Sequence, residues 1–190
     1  MKHINVVMYL PSLEARPKYP MPAGYVGRRF RRGEERIWAD IEASVGEFEN
    51  ADTALRHFED EFGGHLAEME DRCYFLCTEA GEPVGTGTAW LDPSFRGEDH
   101  GRVHWIAIIP QFQGRGLGRP LVGLVVDRLA QSHRKAYLTT QTTSPRAIRI
   151  YLDFGFIPIL TDERSGEAWQ LLHAELRHPA LLAPRRLEEL

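Results

Sequence analysis

The sequence predicts a mixed α+β domain built around a βαβ crossover, and three observations carry that expectation. Segments of helical spacing and segments of strand character follow one another as two helices and then β-β-β-α-β-α-β-β. One of those strands runs through a glycine-rich loop into an amphipathic helix and on to another strand, as a crossover requires. The composition is globular: 190 residues, 43% hydrophobic and 26% charged, which excludes intrinsic disorder as the default. A chain of this length is one compact domain, at most with an appendage. It buries roughly 70% of its unfolded surface without metal or disulfide staples.

The elements follow in order. Ile4–Leu10 reads as an extra edge strand, and the four prolines of Pro11–Gly27 make an extended, irregular lead-in. Gly24–Phe30 is the first strand of the main sheet. Glu34–Phe48 carries Ile37, Trp38, Ile41 and Val45 at helical spacing. Asn50 or Asp52 caps a second helix through Leu55, Phe58 and Phe62. Cys73–Glu79 and Val84–Leu91, separated by Ala-Gly-Glu-Pro, form a hairpin. A polar loop, Asp92–Gly101, leads to the strand Val103–Ile109. Beyond the glycine loop, Leu121, Leu124, Val125, Arg128 and Leu129 mark a helix, and Ala136–Gln141 is a strand. Ser144 followed by Pro145 starts the next helix, which carries Ala147, Ile148 and Tyr151 and ends at Gly155. Phe156–Leu160 and Glu167–Leu171 read as strands, and Ala174–Leu190 as a broken helix.

Cys73 and Cys77 share one face of a strand with Phe75 between them, about 13 Å apart, too far to bridge. They read as buried small hydrophobes in a reducing compartment. The apolar start, Met1–Leu10, is too short for a signal peptide, and no run approaches the ~20 residues of a membrane span. The expectation is a soluble, cytoplasmic protein with no membrane partner. Net charge is −4, with an uneven distribution. Residues 1–33 hold seven bases and one acid, whereas 34–71 hold thirteen acids and two bases. The acidic block is either an electronegative mouth for a cation or a pair of solvated helix faces. The cluster Arg28-Arg-Phe-Arg-Arg32 reads as a strand edge with outward arginines. One short basic patch in an acidic protein is thin support for nucleic acid.

Gln113-Gly-Arg-Gly-Leu-Gly118 is the informative stretch. Its glycines let the backbone approach a ligand, and the helix behind it presents free N–H groups with a partial positive charge. Together these make a cradle for an anion, phosphate above all. A P-loop needs Lys-Ser or Lys-Thr after its last glycine, and a dinucleotide fingerprint needs Gly-x-Gly-x-x-Gly; neither fits. The spacing that fits is Gln-x-x-Gly-x-Gly between a strand and a helix. A second stretch reads Ser144-x-x-Ala147-x-x-Ile150-Tyr151-x-x-x-Gly155-Phe156.

In these two motifs, and in Gly85-Thr-Gly-Thr-Ala-Trp90, the sequence resembles the Gcn5-related N-acetyltransferase superfamily over residues 24–173. That family's pyrophosphate loop reads Gln/Arg-x-x-Gly-x-Gly/Ala, and its next helix often reads Asn-x-x-Ala-x-x-Leu-Tyr-x-x-x-Gly-Phe. Two positions depart from the pattern. Ser144 replaces Asn but is an equally good N-cap, and Pro120 is tolerable in a first helical turn.

The resemblance implies an acyl-CoA N-acyltransferase fold: a central, mixed, mostly antiparallel sheet with flanking helices and a βαβ acetyl-CoA-binding core. It divides the chain into a lead-in (1–23), an N-acetyltransferase domain (24–173) and a C-terminal tail (174–190). It implies acetyl-CoA as cosubstrate, an amine acceptor and no metal. The backbone of Ile106, Ala107 and Ile108 would pair with the pantetheine arm. The N–H groups of Gln113, Gly114, Arg115, Gly116, Leu117, Gly118 and Arg119 would take the pyrophosphate, with charge-assisted help from Arg115 or Arg119, and Ser144 would open the following helix beside the cofactor. Tyr151 is the implied general acid, its phenol donating to the departing CoA sulfur; the alternative is an aromatic of the core. His104, two residues before Ile106, is the candidate base, with a satisfied core histidine or a substrate contact as the alternatives; His173 and Glu82 are weaker candidates. The family often dimerises through C-terminal strands, which leaves a homodimer open. Against the enzyme stand two other classes: a catalytically silent acyl-CoA sensor, and a regulator binding RNA or DNA through residues 28–32.

Overall fold

A computed structural model of the chain describes residues 1–93 and 95–189. Ser94, within the predicted 92–101 loop, and Leu190, at the end of the predicted tail, lie outside the described residues. The elements run β1 (Asn5–Leu10), β2 (Tyr25–Arg29), α1 (Glu35–Ser44), α2 (Ala51–Phe62), α3 (Leu66–Arg72), β3 (Cys73–Thr78), β4 (Pro83–Asp92), β5 (His100–Ile108), α4 (Gly118–Leu129), β6 (Ala136–Gln141), α5 (Pro145–Asp153), β7 (Ile157–Leu160), α6 (Ser165–Leu176) and β8 (Arg185–Arg186). The strand order is β2-β3-β4-β5-β6-β1-β7-β8. Pairs β2–β3, β3–β4, β1–β6 and β1–β7 are antiparallel, and β5–β6 and β7–β8 are parallel. This is the expected mixed, mostly antiparallel sheet, with β5–α4–β6 as its crossover. Among the described residues no helix is long and apolar enough to cross a membrane.

The chain divides into two compact units. One comprises Lys18–Trp90 with Val103–Arg128, the other Met1–Pro17, Leu91–Arg102 and Leu129–Leu190. Strand β5 contributes to both.

In the first unit, α2 begins where Asn50 Oδ1 accepts the N–H of Thr53 at 2.9 Å, an N-cap that contributes about 1 kcal/mol. Its inner face, with that of α1, closes an aromatic core of Phe30, Trp38, Phe58, Phe62 and Phe75, each at most 1% exposed. Burying such rings stabilises the unit by about 2–3 kcal/mol each. A neighbouring cluster of Leu76, Val84, Leu117 and Leu121 pins the end of the glycine loop. Helix α4 lies directly on strand backbone. A Cβ at Gly87 would stand 2.8 Å from Ile106 Cδ1 and 3.0 Å from Val125 Cγ2, and one at Gly27 would stand 2.3 Å from Leu124 Cδ1. The arginines of residues 28–32 answer the acidic block locally. Arg28 pairs with Glu34 at 2.8 Å, Arg29 with Asp71 at 2.9 Å and Arg32 with Glu70 at 3.8 Å. Both cysteines are free and buried, and burial pushes the Cys73 thiol up to about 11.

In the second unit the core gathers Tyr9, Tyr137 and Ile159, with Phe95 stacked on Tyr137 at 3.8 Å. Four expectations are corrected. Segment 167–171 is helix, part of α6, because Ala168, Trp169 and Leu172 are buried at helical spacing and Asp162 Oδ1 caps the turn by accepting the N–H groups of Arg164 and Ser165. Strand β1 is interior, paired on both sides, because Val6, Met8, Tyr9 and Leu10 are all at most 4% exposed and both of its faces are apolar. The tail is a 3₁₀ turn, Pro179–Leu182, and the short β8. Finally, α3, too short to show a helical period, stands where no element was expected.

Candidate active site

The glycine loop behaves as its sequence demands. Gly114 and Gly116 have φ of +76° and +78°, a left-handed conformation that side chains rarely adopt, and a Cβ at either would meet nothing within 4 Å. The backbone here is bare and accessible. Leu117, 2% exposed, turns inward, and α4 starts at Gly118 with Pro120 in its first turn. The Gln113 side chain donates to the Ile108 carbonyl at 2.8 Å, tying the loop back to β5. Arg115 donates to Gln111 O at 3.0 Å and Tyr25 Oη at 3.3 Å, and lies 4.7 Å over the Phe112 ring. Arg119 lies 5.8 Å over Tyr19. The loop thus presents backbone N–H groups and two cations braced by aromatic rings, a suitable grip for a pyrophosphate. On β5, Ile106 and Ile108 pack with the Leu76–Leu121 cluster and Ala107 with the aromatic core. The β5–β6 register ends at Arg102.

One carboxylate organises the middle of β5. His104 Nε2 lies 2.7 Å from Glu61 Oε1, Trp105 Nε1 donates to Glu61 Oε2 at 2.9 Å, and His57 Nε2 lies 3.1 Å from the same oxygen. The side chains of His104 and Glu61 are 11% and 25% exposed. Successive strand residues ordinarily point to opposite faces; His104 and Trp105 reach one carboxylate because Trp105 has φ +48°. That conformation costs a non-glycine residue on the order of 1–3 kcal/mol. Burial raises the Glu61 carboxyl, but the hydrogen bond and charge of His104, the Trp105 indole and the charge of His57 outweigh it and hold the group at about 2. Glu61 is an anion throughout the physiological range, and His104 faces it.

Glu61 and the Trp105 indole were not among the residues expected to act. The available signal was His57-x-x-x-Glu61, a pair four apart on one helix face, diluted among thirteen acids. Of the remaining candidates, Tyr151, Ser144 and His173 lie in the other unit and Glu82 in this one. Tyr151 on α5 is 6% exposed, its ring 6.0 Å from that of Phe156. Ser144 precedes α5 but makes no side-chain capping bond; Pro145 at the first helical position starts the helix instead. His173 contacts the His178 carbonyl at 3.3 Å, and Glu82 sits in the β3–β4 turn, its N–H on Thr78 Oγ1.

A profile described as "Acetyltransferase (GNAT) family" matches residues 30–156. The chain is 31% identical over 150 residues to a mycothiol acetyltransferase of Streptomyces bingchenggensis, covering 77% of this chain and 47% of that one. It thus spans about half the length of the curated relative it matches. Among solved structures it resembles a Gcn5-related N-acetyltransferase from Sphaerobacter thermophilus, with a TM-score of 0.63 and 20% identity over 81% of this chain and 48% of that one. It also resembles an aminoglycoside N-acetyltransferase in complex with CoA, with a TM-score of 0.55 and 14% identity over 73% of this chain and 91% of that one. The structural likenesses concern the fold.

Proposed function

Because this chain belongs to the acetyltransferase (GNAT) family, we propose that it is an N-acetyltransferase carrying the acetyl group of acetyl-CoA to a primary amine of a small molecule or peptide. The catalytic domain is placed at 24–173. The observation that carries the reading is the loop after β5: two glycines at positive φ, open backbone, and a helix starting behind them. In this reading the N–H groups of residues 114–119 hold the pyrophosphate, that of Gln113 being taken by the Pro110 carbonyl at 3.2 Å, and the backbone of Ile106, Ala107 and Ile108 aligns the pantetheine arm.

The reaction is a direct attack within a ternary complex. His104 takes a proton from the ammonium of the acceptor, directly or through a water, and the neutral nitrogen attacks the thioester carbon. The C–S bond breaks, Tyr151 donates its phenolic proton to the departing thiolate, and the second proton of the attacking nitrogen leaves to the tyrosinate, directly or through water, to give the neutral amide. The side chain of Tyr151 is matched to that task by chemistry, since a phenol and an alkyl thiol have comparable basicity.

The test is purified protein with acetyl-CoA and a panel of amines (polyamines, aminoglycosides, lysine peptides), with CoA release followed by a thiol reagent. Release that requires a particular amine, and falls ~10- to 10⁴-fold in Tyr151→Phe while calorimetric cofactor binding persists, is the expected result. Absence of acetyl-CoA binding would overturn the reading.

A further inference from the structure

We propose that Glu61 is a positioning residue for acetyl transfer: its carboxylate holds Nε2 of His104, fixes the ring's tautomer and orientation, and strengthens the imidazole as a base. The proposal rests on the reading of His104 as the base. A carboxylate only accepts hydrogen bonds, so the 2.7 Å contact places a proton on Nε2 and leaves Nδ1 as the basic nitrogen of the neutral ring. When that nitrogen takes a proton from the acceptor, the imidazolium forms against a fixed anion at hydrogen-bond distance. The second oxygen of Glu61 is held by Trp105 Nε1 and His57 Nε2, so the carboxylate cannot swing away. The φ of +48° at Trp105 is what lets two neighbouring side chains share this anion.

The groups packed around the pair come from α1, α2, β4 and β5, with Phe48, between α1 and α2, against the His57 and Trp105 rings at 5.1 and 5.4 Å. α2 supplies Glu61 and His57, and β5 supplies His104 and Trp105. α1 faces the cluster with Trp38, 5.4 Å from the Trp105 ring, and β4 with Trp90, 4.8 Å from Phe62, both uncharged. His65 touches Trp90 at 5.9 Å and pairs with Glu68. Glu61 is therefore the anion in bonding contact with the His104 ring among the described contacts.

The experiment compares wild type with Glu61→Gln, which keeps the shape and loses the charge, and Glu61→Asp, which keeps the charge. The imidazole titration of His104 is followed by NMR, its signal among the eight histidines identified by its loss in His104→Gln; this readout needs no substrate. The titration is expected to fall by about one pH unit or more in Glu61→Gln and to be largely retained in Glu61→Asp. The ascending limb of kcat against pH should move with it, with kcat about 10- to 100-fold lower at neutral pH and KM for acetyl-CoA and acceptor unchanged. In the His104→Gln background, Glu61→Gln should cost nothing further. An unmoved His104 titration, with or without a loss of thermal stability, overturns the proposal. So does an acceptor KM that rises with an unmoved pH limb, which would make Glu61 a substrate contact. A shifted titration in a protein that acetylates no amine upholds the pairing and overturns the acetyltransferase reading instead.

Discussion

Strand β5 carries two histidines four residues apart, and they have opposite lives. His100, near its start, is 0% exposed. Its Nδ1 faces the Glu98 carbonyl at 3.2 Å and its Nε2 the Tyr9 hydroxyl at 3.3 Å, with Phe95 against the ring at 5.1 Å. A carbonyl can only accept, so Nδ1 carries the proton and Nε2 accepts from Tyr9. Both nitrogens are satisfied by neutral partners. His104 is nearly as enclosed, yet its partner is an anion. The two histidines differ less in burial than in the charge of the group each faces.

The largest expected effect tests that contrast directly. His104→Gln should lower kcat by about 10²- to 10⁴-fold with a nearly unchanged melting curve. His100→Gln should keep turnover per folded molecule and lose about 1–3 kcal/mol of stability in chemical denaturation. The reverse outcome would make His104 a second His100.

The same rule separates two carboxyls. Glu61 has three N–H partners and a lowered pKa. Glu42 on α1 is 1% exposed, its Oε1 has no partner, and burial, with Glu47 nearby, pushes its carboxyl well above the usual range. A raised folded-state value means stability that is full below the ordinary carboxyl value of about 4.3 and lost as pH rises toward the folded one. Each unit of elevation then costs about 1.4 kcal/mol above both values. Glu42→Gln should therefore leave stability unchanged near pH 4 and raise it by 1 kcal/mol or more, in round terms about one pKa unit's worth, near pH 8. Equal stability across that range would show that the carboxyl ionises freely. Glu61 has the opposite sign, since its contribution is present above the ordinary value and lost as pH falls toward 2. Trp105→Phe, the mildest change, removes one donor and should cost about 1 kcal/mol at pH 7, with the difference narrowing in acid as the carboxyl is protonated.

Much of the glycine-loop side of the candidate site was legible in the sequence because its signal is local. Gln113–Gly118 is contiguous, its glycines announce positive φ, and the flanking strand and helix have clear periods. The cluster around Glu61 was not legible for a physical reason. Glu61 meets His104 and Trp105 across 43 and 44 residues, a distance no periodicity spans, and as one of the thirteen acids of its block it carried no mark. Nor does a tryptophan advertise a left-handed backbone; strand alternation left open whether His104 faced substrate or core, and gave no hint that Trp105 would join it. Segment 167–171 misled because a run as short as Glu-Ala-Trp-Gln-Leu fits either period, and the Asp162 cap that decides it lies five residues upstream.

Side chains of helix α4 close on Gly27 and Gly87, and a methyl group at either would make a side-chain end shift. Those two positions act as a seat machined without clearance. An alanine there is a shim, and what yields to it is the side-chain layer beneath the helix that starts behind the glycine loop. If that loop holds a cofactor as proposed, one carbon atom placed under the helix could loosen the grip while every group that does chemistry stays in the sequence.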